Sequence, residues 1–123
     1  MTSENWKIIV VEDTYDDVVL ASTILSYHGV DVTIAHNGRE CLTLLETMHP
    51  TFIVTDLSMP EMDGWQMLSQ IRDMYNQDEM PVVAMTAYDS VEVAQEALKA
   101  GFNAYYPKPL SPRHFVDSLK DLL

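Results

Sequence analysis

Phe52-Ile53-Val54-Thr55-Asp56-Leu57-Ser58-Met59-Pro60-Glu61-Met62-Asp63-Gly64 is the stretch that decides the fold of this chain. An apolar, β-branched run ends on a carboxylate, and a short loop closed by Asp63-Gly64 leads into a segment of helical character. The run is continuous rather than alternating, as suits a strand buried on both faces of a parallel sheet. In such a sheet, residues at the C-terminal ends of different strands converge on one crevice. The pattern recurs elsewhere. Glu12-Asp13 follows Ile8-Ile9-Val10-Val11, Thr86 follows Val82-Val83-Ala84-Met85, and Lys108 lies just beyond Ala104-Tyr105-Tyr106. The crevice is therefore expected to gather the carboxylates of Glu12, Asp13 and Asp56, the Thr86 hydroxyl and the Lys108 ammonium. That set suits a divalent cation and a phosphoryl group.

Working outward, five short apolar runs (residues 8–11, 32–34, 52–55, 82–85 and 104–106) alternate with five longer segments of helical character. This alternation implies an α/β protein with right-handed crossovers and helices on both faces of a parallel sheet. The first helix is expected over about residues 14–27, with Val18, Ala21, Ile24 and Leu25 as its apolar stripe and Gly29 near its stop. The second follows Asn37-Gly38, carries Cys41, Leu42, Leu45 and Met48, and cannot pass Pro50. The third follows Asp63-Gly64 and includes Trp65, Met67, Leu68, Ile71 and Met74. The fourth begins near Asp89-Ser90, with Glu92 placed three residues after Asp89 as in a capping box, and ends at Gly101. The fifth has Ser111 as N-cap and Pro112 as first helical residue, with Phe115, Leu119 and Leu122 on its apolar face.

At 123 residues the chain is the size of one domain able to bury its own core. A net charge of −12 repels nucleic acid and anionic membranes, so direct binding to either is not expected. Part of that acidity is concentrated in Glu12, Asp13, Asp16, Asp17 and Asp56, and the remainder reads as a solvated exterior. The single Cys41 excludes an internal disulfide and a cysteine-built zinc site; among Leu42, Leu44 and Leu45 it reads as a small buried apolar residue. No apolar run approaches the roughly twenty residues of a membrane span. The N-terminus lacks the basic-then-apolar pattern of a signal peptide, so a cytoplasmic location is expected. There is no repeat or linker, and residues 1–123 are expected to form a single domain without an output domain.

A carboxylate can attack a phosphoryl group to give an acyl phosphate. Because the transferred group is anionic, the surrounding residues act mainly by positioning it and neutralising charge. Mg²⁺ fits, being held by one or two carboxylates, water and phosphoryl oxygens. Glu12 and Asp13 then supply metal ligands, and Asp56 supplies the nucleophile and a further ligand. Lys108 pairs with phosphoryl oxygens as a point charge, and Thr86 donates a hydrogen bond to another. Taken singly, each residue has a plainer explanation. An acidic pair after a strand can serve the positive end of the next helix, a lone Asp is a common turn residue, and a lone Lys is usually solvated. The conjunction of all five at strand ends is what points to phosphoryl chemistry.

The chain resembles the receiver domain of two-component response regulators. The resemblance is carried by Ile8-Ile9-Val10-Val11-Glu12-Asp13, by Val54-Thr55-Asp56 with the loop to Gly64, by Pro81-Val82-Val83-Ala84-Met85-Thr86-Ala87 and by Ala104-Tyr105-Tyr106-Pro107-Lys108-Pro109-Leu110. It implies a flavodoxin-like doubly wound (βα)5 fold, with strand order 2-1-3-4-5 and five flanking helices. Asp56 would accept the phosphoryl group from a phosphohistidine of a sensor histidine kinase or histidine phosphotransfer protein. Glu12, Asp13, Asp56 and the backbone carbonyl of Ser58 would bind Mg²⁺, and Thr86 and Lys108 would bind the phosphoryl group. The Lys108-Pro109 bond would be cis, which only proline makes cheap. Thr86 and Tyr105 would form a switch biased by one local charge event, altering the surface of the fourth helix, fifth strand and fifth helix. Tyr106 should point to the opposite face, into the core. The protein would promote only its own phosphorylation and dephosphorylation and signal to a downstream protein target. It would be a monomer or a weak phosphorylation-dependent dimer.

Position 12 is Glu where Asp is frequent in the family, which should still bind metal. Ser58 and Tyr88 occupy the two positions that flank the phosphoryl group and tune its hydrolysis; the bulk of Tyr88 is expected to hinder attacking water and lengthen the phosphoryl lifetime. His28, His36, His49 and His114 show no ligand spacing, and Trp6 and Trp65 read as packing residues. Other classes fit less well. A constitutive interaction module would keep the fold and bind regardless of phosphate. A metal-dependent aspartyl phosphatase needs a second Asp where Ser58 stands, and a flavin-binding domain needs a Gly/Ser/Thr-rich loop where the acidic Glu12-Asp13 pair stands.

Overall fold

A computed structural model describes residues 3–87 and 90–123. Five strands, β1 (Lys7–Val11), β2 (Asp31–Ala35), β3 (Phe52–Asp56), β4 (Val82–Thr86) and β5 (Ala104–Pro107), form one parallel sheet in the order β2-β1-β3-β4-β5. The helices between and after them are α1 (Tyr15–Tyr27), α2 (Gly38–Leu44), α3 (Gly64–Met74), α4 (Val91–Ala100) and α5 (Phe115–Lys120). This is the flavodoxin-like doubly wound arrangement. The pairing registers Val10 against Val54 and Ile34, and Thr55 against Ala84, so the ends of β1, β3 and β4 lie side by side.

The continuous apolar runs end up where their composition requires. Every residue of β3 and β4 is buried, as are the last four of β1, whereas the edge strands β2 and β5 are only partly covered. Side chains alternate between two cores. Ile8, Val10, Phe52, Val54, Val83 and Met85 pack with Leu25, Phe115 and Leu119 of α1 and α5. Ile9, Val11, Ile53, Val82 and Ala84 pack with Cys41, Met67, Ile71 and Ala97 of the other three helices. Trp6 stacks edge-on against Phe52 at 5.1 Å, and Trp65 against Phe102 at 5.6 Å, so both tryptophans are packing residues. Burial in this apolar setting pushes the Cys41 thiol up to about 12. Among the described residues, no helix is long and apolar enough to cross a membrane.

Two helix limits, those of the second and fifth helices, differ from the sequence-based expectation. The second helix stops at Leu44 rather than running on to Pro50; its end tightens into turns in which Glu46 N–H donates to Thr43 O and Thr47 N–H to Leu44 O. Met48 still packs on the core from beyond the helix. The fourth helix begins and ends where expected, with Ser90 as N-cap, its Oγ accepting the Val93 N–H at 3.1 Å, and Gly101 as C-cap; the expected Asp89–Glu92 box involves Asp89, which lies outside the described residues. The fifth helix begins at Phe115 rather than Pro112. Ser111 does cap the preceding turn, its Oγ accepting from the His114 N–H at 3.3 Å. Asp63, by contrast, forms a full capping box with Gln66 at the start of α3, which fixes where the loop after β3 ends.

Two contacts hold the frame around the crevice. Gly64 donates its N–H to Leu57 O at 3.1 Å, and a Cβ there would stand 2.4 Å from the Asp56 carbonyl oxygen, so only glycine lets α3 start this close to β3. Arg72, at the end of α3, spreads its guanidinium over the carbonyls of Gly101 (2.8 and 3.0 Å), Met80 (2.8 Å) and Asn76 (3.2 Å) and over Asn103 Oδ1 (3.0 Å). It thereby caps the C-terminal ends of α3 and α4 with one cation.

Candidate functional site

Glu12 follows β1 directly, and its main-chain N–H donates to Ala35 O at 2.9 Å, continuing the sheet hydrogen bonding for one residue. Its side chain is thereby carried into the interior, where it is completely buried. Oε1 accepts the Thr14 N–H at 3.1 Å, so Glu12 also helps the chain turn into α1. Asp13 lies at the surface. Asp56 ends β3 on the same face as Val54, toward α1 and α5. Its Oδ1 accepts the Leu57 N–H at 2.7 Å and, more weakly, the Ser58 N–H at 3.4 Å, which fixes the carboxylate plane. Carboxylate oxygens of Glu12, Asp13 and Asp56 all lie within 4.8 Å of one another.

Lys108 enters this group from beyond β5. Its backbone N–H donates to Thr86 O at 2.7 Å, tying it to the end of β4, and the Lys108-Pro109 bond is cis. Its Nζ donates to Glu12 Oε2 at 2.7 Å, Asp17 Oδ2 at 2.8 Å and Asp56 Oδ2 at 3.1 Å. Burial alone would lower the ammonium's pKa, but the hydrogen bonds to Asp17 and Glu12 and the charges of Asp56 and Glu12 outweigh it and hold Lys108 above its ordinary range. Burial, helped by the Asp56 charge, holds the Glu12 carboxyl above its ordinary value against the lowering effects of Lys108 and the Thr14 N–H.

The sequence-derived set is thus brought together at one sheet edge. Glu12, Asp13, Asp56 and Lys108 meet directly; Thr86 is buried at the end of β4 and joins through its carbonyl. Ser58 is exposed at the rim with its N–H toward Asp56. Tyr105 packs half-buried against the core beneath α4, while Tyr106 turns to the opposite core, stacks on Phe115 at 4.9 Å and receives the Ser118 hydroxyl at 2.8 Å. Tyr88 lies outside the described residues. Sequence reasoning did not single out Asp17 as a partner of Lys108. The available signal was helix phase: Asp17 stands four residues before Ala21 of the expected apolar stripe, on the same side of the helix.

The loop between Asp56 and Gly64 is held at its far end. Met62 O accepts the Gly38 N–H at 3.1 Å, and Asn37 Nδ2 donates to Glu61 Oε2 at 3.3 Å. Glu61 adopts φ 65 inside a tight turn in which the Met62 N–H donates to Pro60 O at 2.7 Å. A non-glycine residue in this left-handed region is strained by about 1–3 kcal/mol and persists because both flanks are fixed.

The donor set fits a hard divalent cation. Glu12, Asp17 and Asp56 share the Lys108 ammonium while Asp13 lies beside Glu12 and Asp56, leaving excess negative charge among the described residues, and exposed Asp13 opens the cluster to the water a Mg²⁺ ion retains.

Known proteins place this geometry. The response regulator receiver domain family matches residues 8–120. An uncharacterized 14.6 kDa protein of Leptolyngbya boryana is 39% identical over 115 residues, covering 94% of this chain and 88% of that protein. The regulatory protein AtoC of Escherichia coli is 38% identical over 109 residues, covering 89% of this chain but only 23% of AtoC. The solved receiver domain of the Francisella response regulator 1452 superposes with a TM-score of 0.86 at 33% identity, covering 96% of each chain. With a strand-end cluster of carboxylates around an ammonium on a 2-1-3-4-5 sheet, and a family match over nearly its whole length, the chain belongs to the response regulator receiver domain family.

Proposed function

We propose that Asp56 is the phosphoacceptor and that the protein relays a phosphoryl group from a phosphohistidine of a histidine kinase or histidine phosphotransfer protein. Receiver domains accept phosphoryl groups in two-component signalling and interact with histidine kinases and downstream targets, and this chain belongs to that family. The observation that carries the assignment is Lys108 Nζ at 3.1 Å from Asp56 Oδ2, with Glu12 and Asp13 oxygens alongside. In the transfer, an Asp56 carboxylate oxygen forms a bond to phosphorus as the phosphorus–nitrogen bond breaks. The electron pair stays on the departing ring nitrogen, and a proton already held on the ring's other nitrogen makes the leaving group neutral imidazole.

Glu12, Asp13, Asp56 and the backbone carbonyl of Ser58 would hold Mg²⁺, which when bound neutralises charge on the transferring group. Lys108 and Thr86 take the phosphoryl oxygens, and the main-chain N–H groups of Leu57 and Ser58 orient the carboxylate. Ser58 at the rim and Tyr88 set the rate at which water removes the group. Thr86 and Tyr105 transmit the charge change to the surface of α4, β5 and α5. That surface suits a docking role: α4 buries only Ala97 fully, and Val91 and Leu98 are exposed. The protein acts on no substrate beyond its own phosphorylation and dephosphorylation. It works in the cytoplasm as a monomer or weak phosphorylation-dependent dimer, without contacting nucleic acid, in keeping with its charge of −12.

The test is intact mass after incubation with acetyl phosphate, with and without Mg²⁺, beside Asp56→Ala. A single Mg²⁺-dependent phosphoryl adduct, absent in the variant, is expected. An adduct that survives in Asp56→Ala would move the acceptor elsewhere, and no adduct on either protein would refute acceptance from this donor.

A further inference from the structure

The Lys108 ammonium has three N–H donors, and all three are taken, by Glu12, Asp17 and Asp56. The contact to the acceptor is the longest, 3.1 Å against 2.7 and 2.8 Å, so the ammonium leans away from Asp56 toward the other two. To bind an incoming phosphoryl oxygen it must release a carboxylate. The partner that yields is set by hydration. The side chain of Asp17 is 35% exposed, against 11% for Asp56 and 0% for Glu12, so its carboxylate alone is readily resolvated when the bond opens. Asp17 also projects from α1, on a different element from the acceptor and from Lys108, so opening that bond disturbs neither.

We propose that Asp17 is a positioning residue that acts through Lys108: it parks the ammonium beside the phosphoacceptor and surrenders it when the phosphoryl group arrives. This rests on Asp56 being the acceptor. Asp17 then slows phosphorylation for two reasons of the same sign. Its bond to Lys108 must be exchanged for one to the phosphoryl oxygen, and its negative charge stands against an anionic donor. In the resting protein it compensates the ammonium, which would otherwise be shared between Glu12 and Asp56 alone.

The experiment compares wild type, Asp17→Asn, Asp17→Ala and Asp17→Glu in Mg²⁺, by the rate of adduct formation with acetyl phosphate and by the ¹H–¹⁵N signal of the Lys108 ammonium before phosphorylation. Asp17→Asn and Asp17→Ala should be phosphorylated about fivefold faster, the factor that corresponds to one exposed charge contact. Their Lys108 signal should shift and exchange faster with water. Asp17→Glu, which can still reach Lys108, should restore wild-type behaviour in both readouts. The gain should persist in 1 M salt, where screening over about 3 Å removes repulsion at a distance but not a direct contact. If adducts form on wild type but the neutral variants react at the same rate, leave the Lys108 signal unmoved or lose their advantage in salt, the positioning role is overturned and Asp56 stands. If wild type forms no adduct while Asp56→Ala behaves alike, the acceptor assignment falls, and this role with it.

Discussion

Lys108→Met, in metal-free buffer, tests how much of the fold's stability depends on one cation. The substitution keeps a similar unbranched stem and removes the ammonium from contact with Glu12, Asp17 and Asp56. Removing one partner of a buried ion pair costs about 3–5 kcal/mol, because the other charge is left stranded. Here the stranded groups differ. Glu12 is completely buried and keeps only the Thr14 N–H, whereas Asp56 is nearly buried but keeps Leu57 and Ser58, and Asp17 reaches water. Most of the loss therefore falls on Glu12, and the expected cost is about 2–3 kcal/mol at pH 7. For a domain of this size that lowers the melting midpoint by about 10 °C.

The loss should depend on pH with a definite sign. In the folded wild type Glu12 is held above its ordinary value of 4.5, chiefly by burial. The folded protein thus takes up this proton at a higher pH than the unfolded chain. That contribution to stability is present below pH 4.5 and is lost as pH rises through the folded-state value. Removing Lys108 removes influences that lower the Glu12 pKa, so in the variant the folded-state value rises further and acid begins to relieve the stranded charge at a higher pH. The gap between wild type and variant, read by calorimetry in a chelating buffer, should narrow from pH 7 to pH 5. Millimolar Mg²⁺ should also raise the variant's midpoint more than that of wild type, since a ligand stabilises the state it binds. A variant melting within about 2 °C of wild type at pH 7, or a gap unchanged at pH 5, would refute this account of the site.

Arg72→Met should cost about 2–4 kcal/mol in urea unfolding, because carbonyls at the ends of α3 and α4 lose their shared donor, and a loss below about 1 kcal/mol would show that water replaces the guanidinium freely. Gly64→Ala drives a methyl group against the Asp56 carbonyl, so it should cost about 1–3 kcal/mol and also slow adduct formation on Asp56. Normal phosphorylation in that variant would mean that the start of α3 can shift without moving the acceptor. Asp13→Asn changes an exposed side chain, so stability without metal should stay within about 0.5 kcal/mol of wild type. Its Mg²⁺ affinity by titration calorimetry should nevertheless fall at least about tenfold, and an unchanged affinity would remove Asp13 from the metal ligands.

Much of the fold was legible because its strongest signals are local. A run such as Phe52-Ile53-Val54, apolar at consecutive positions and followed closely by turn residues, can satisfy its composition only when covered on both sides, and helices on both faces follow. The helix limits were less legible because they depend on competition between neighbours. Ser111 and Pro112 form a cap and a first turn as their chemistry dictates, yet regular helix geometry starts only at Phe115, where Phe115, Val116 and Leu119 reach the core. Pro50 marks where the second helix could not continue; where it actually ends is decided earlier, by turns that close onto Thr43 and Leu44.

The site divides in the same way. Residues at strand ends were visible because parallel topology brings those ends together whatever the loops do, which covers Glu12, Asp13, Asp56, Thr86 and Lys108. A helix residue that reaches back into the crevice has no such rule. Asp17 is separated from Lys108 by 91 residues, and by residue type alone it cannot be told from adjacent Asp16, which lies at the surface. What separates the two aspartates is helix phase. The rotation that carries Ala21, Ile24 and Leu25 of α1 into the core also turns Asp17, one turn before Ala21, toward the strand ends. The apolar stripe of a flanking helix therefore carries information about the active edge. Followed one turn back toward the N-terminus, it points to the side chain that reaches Lys108.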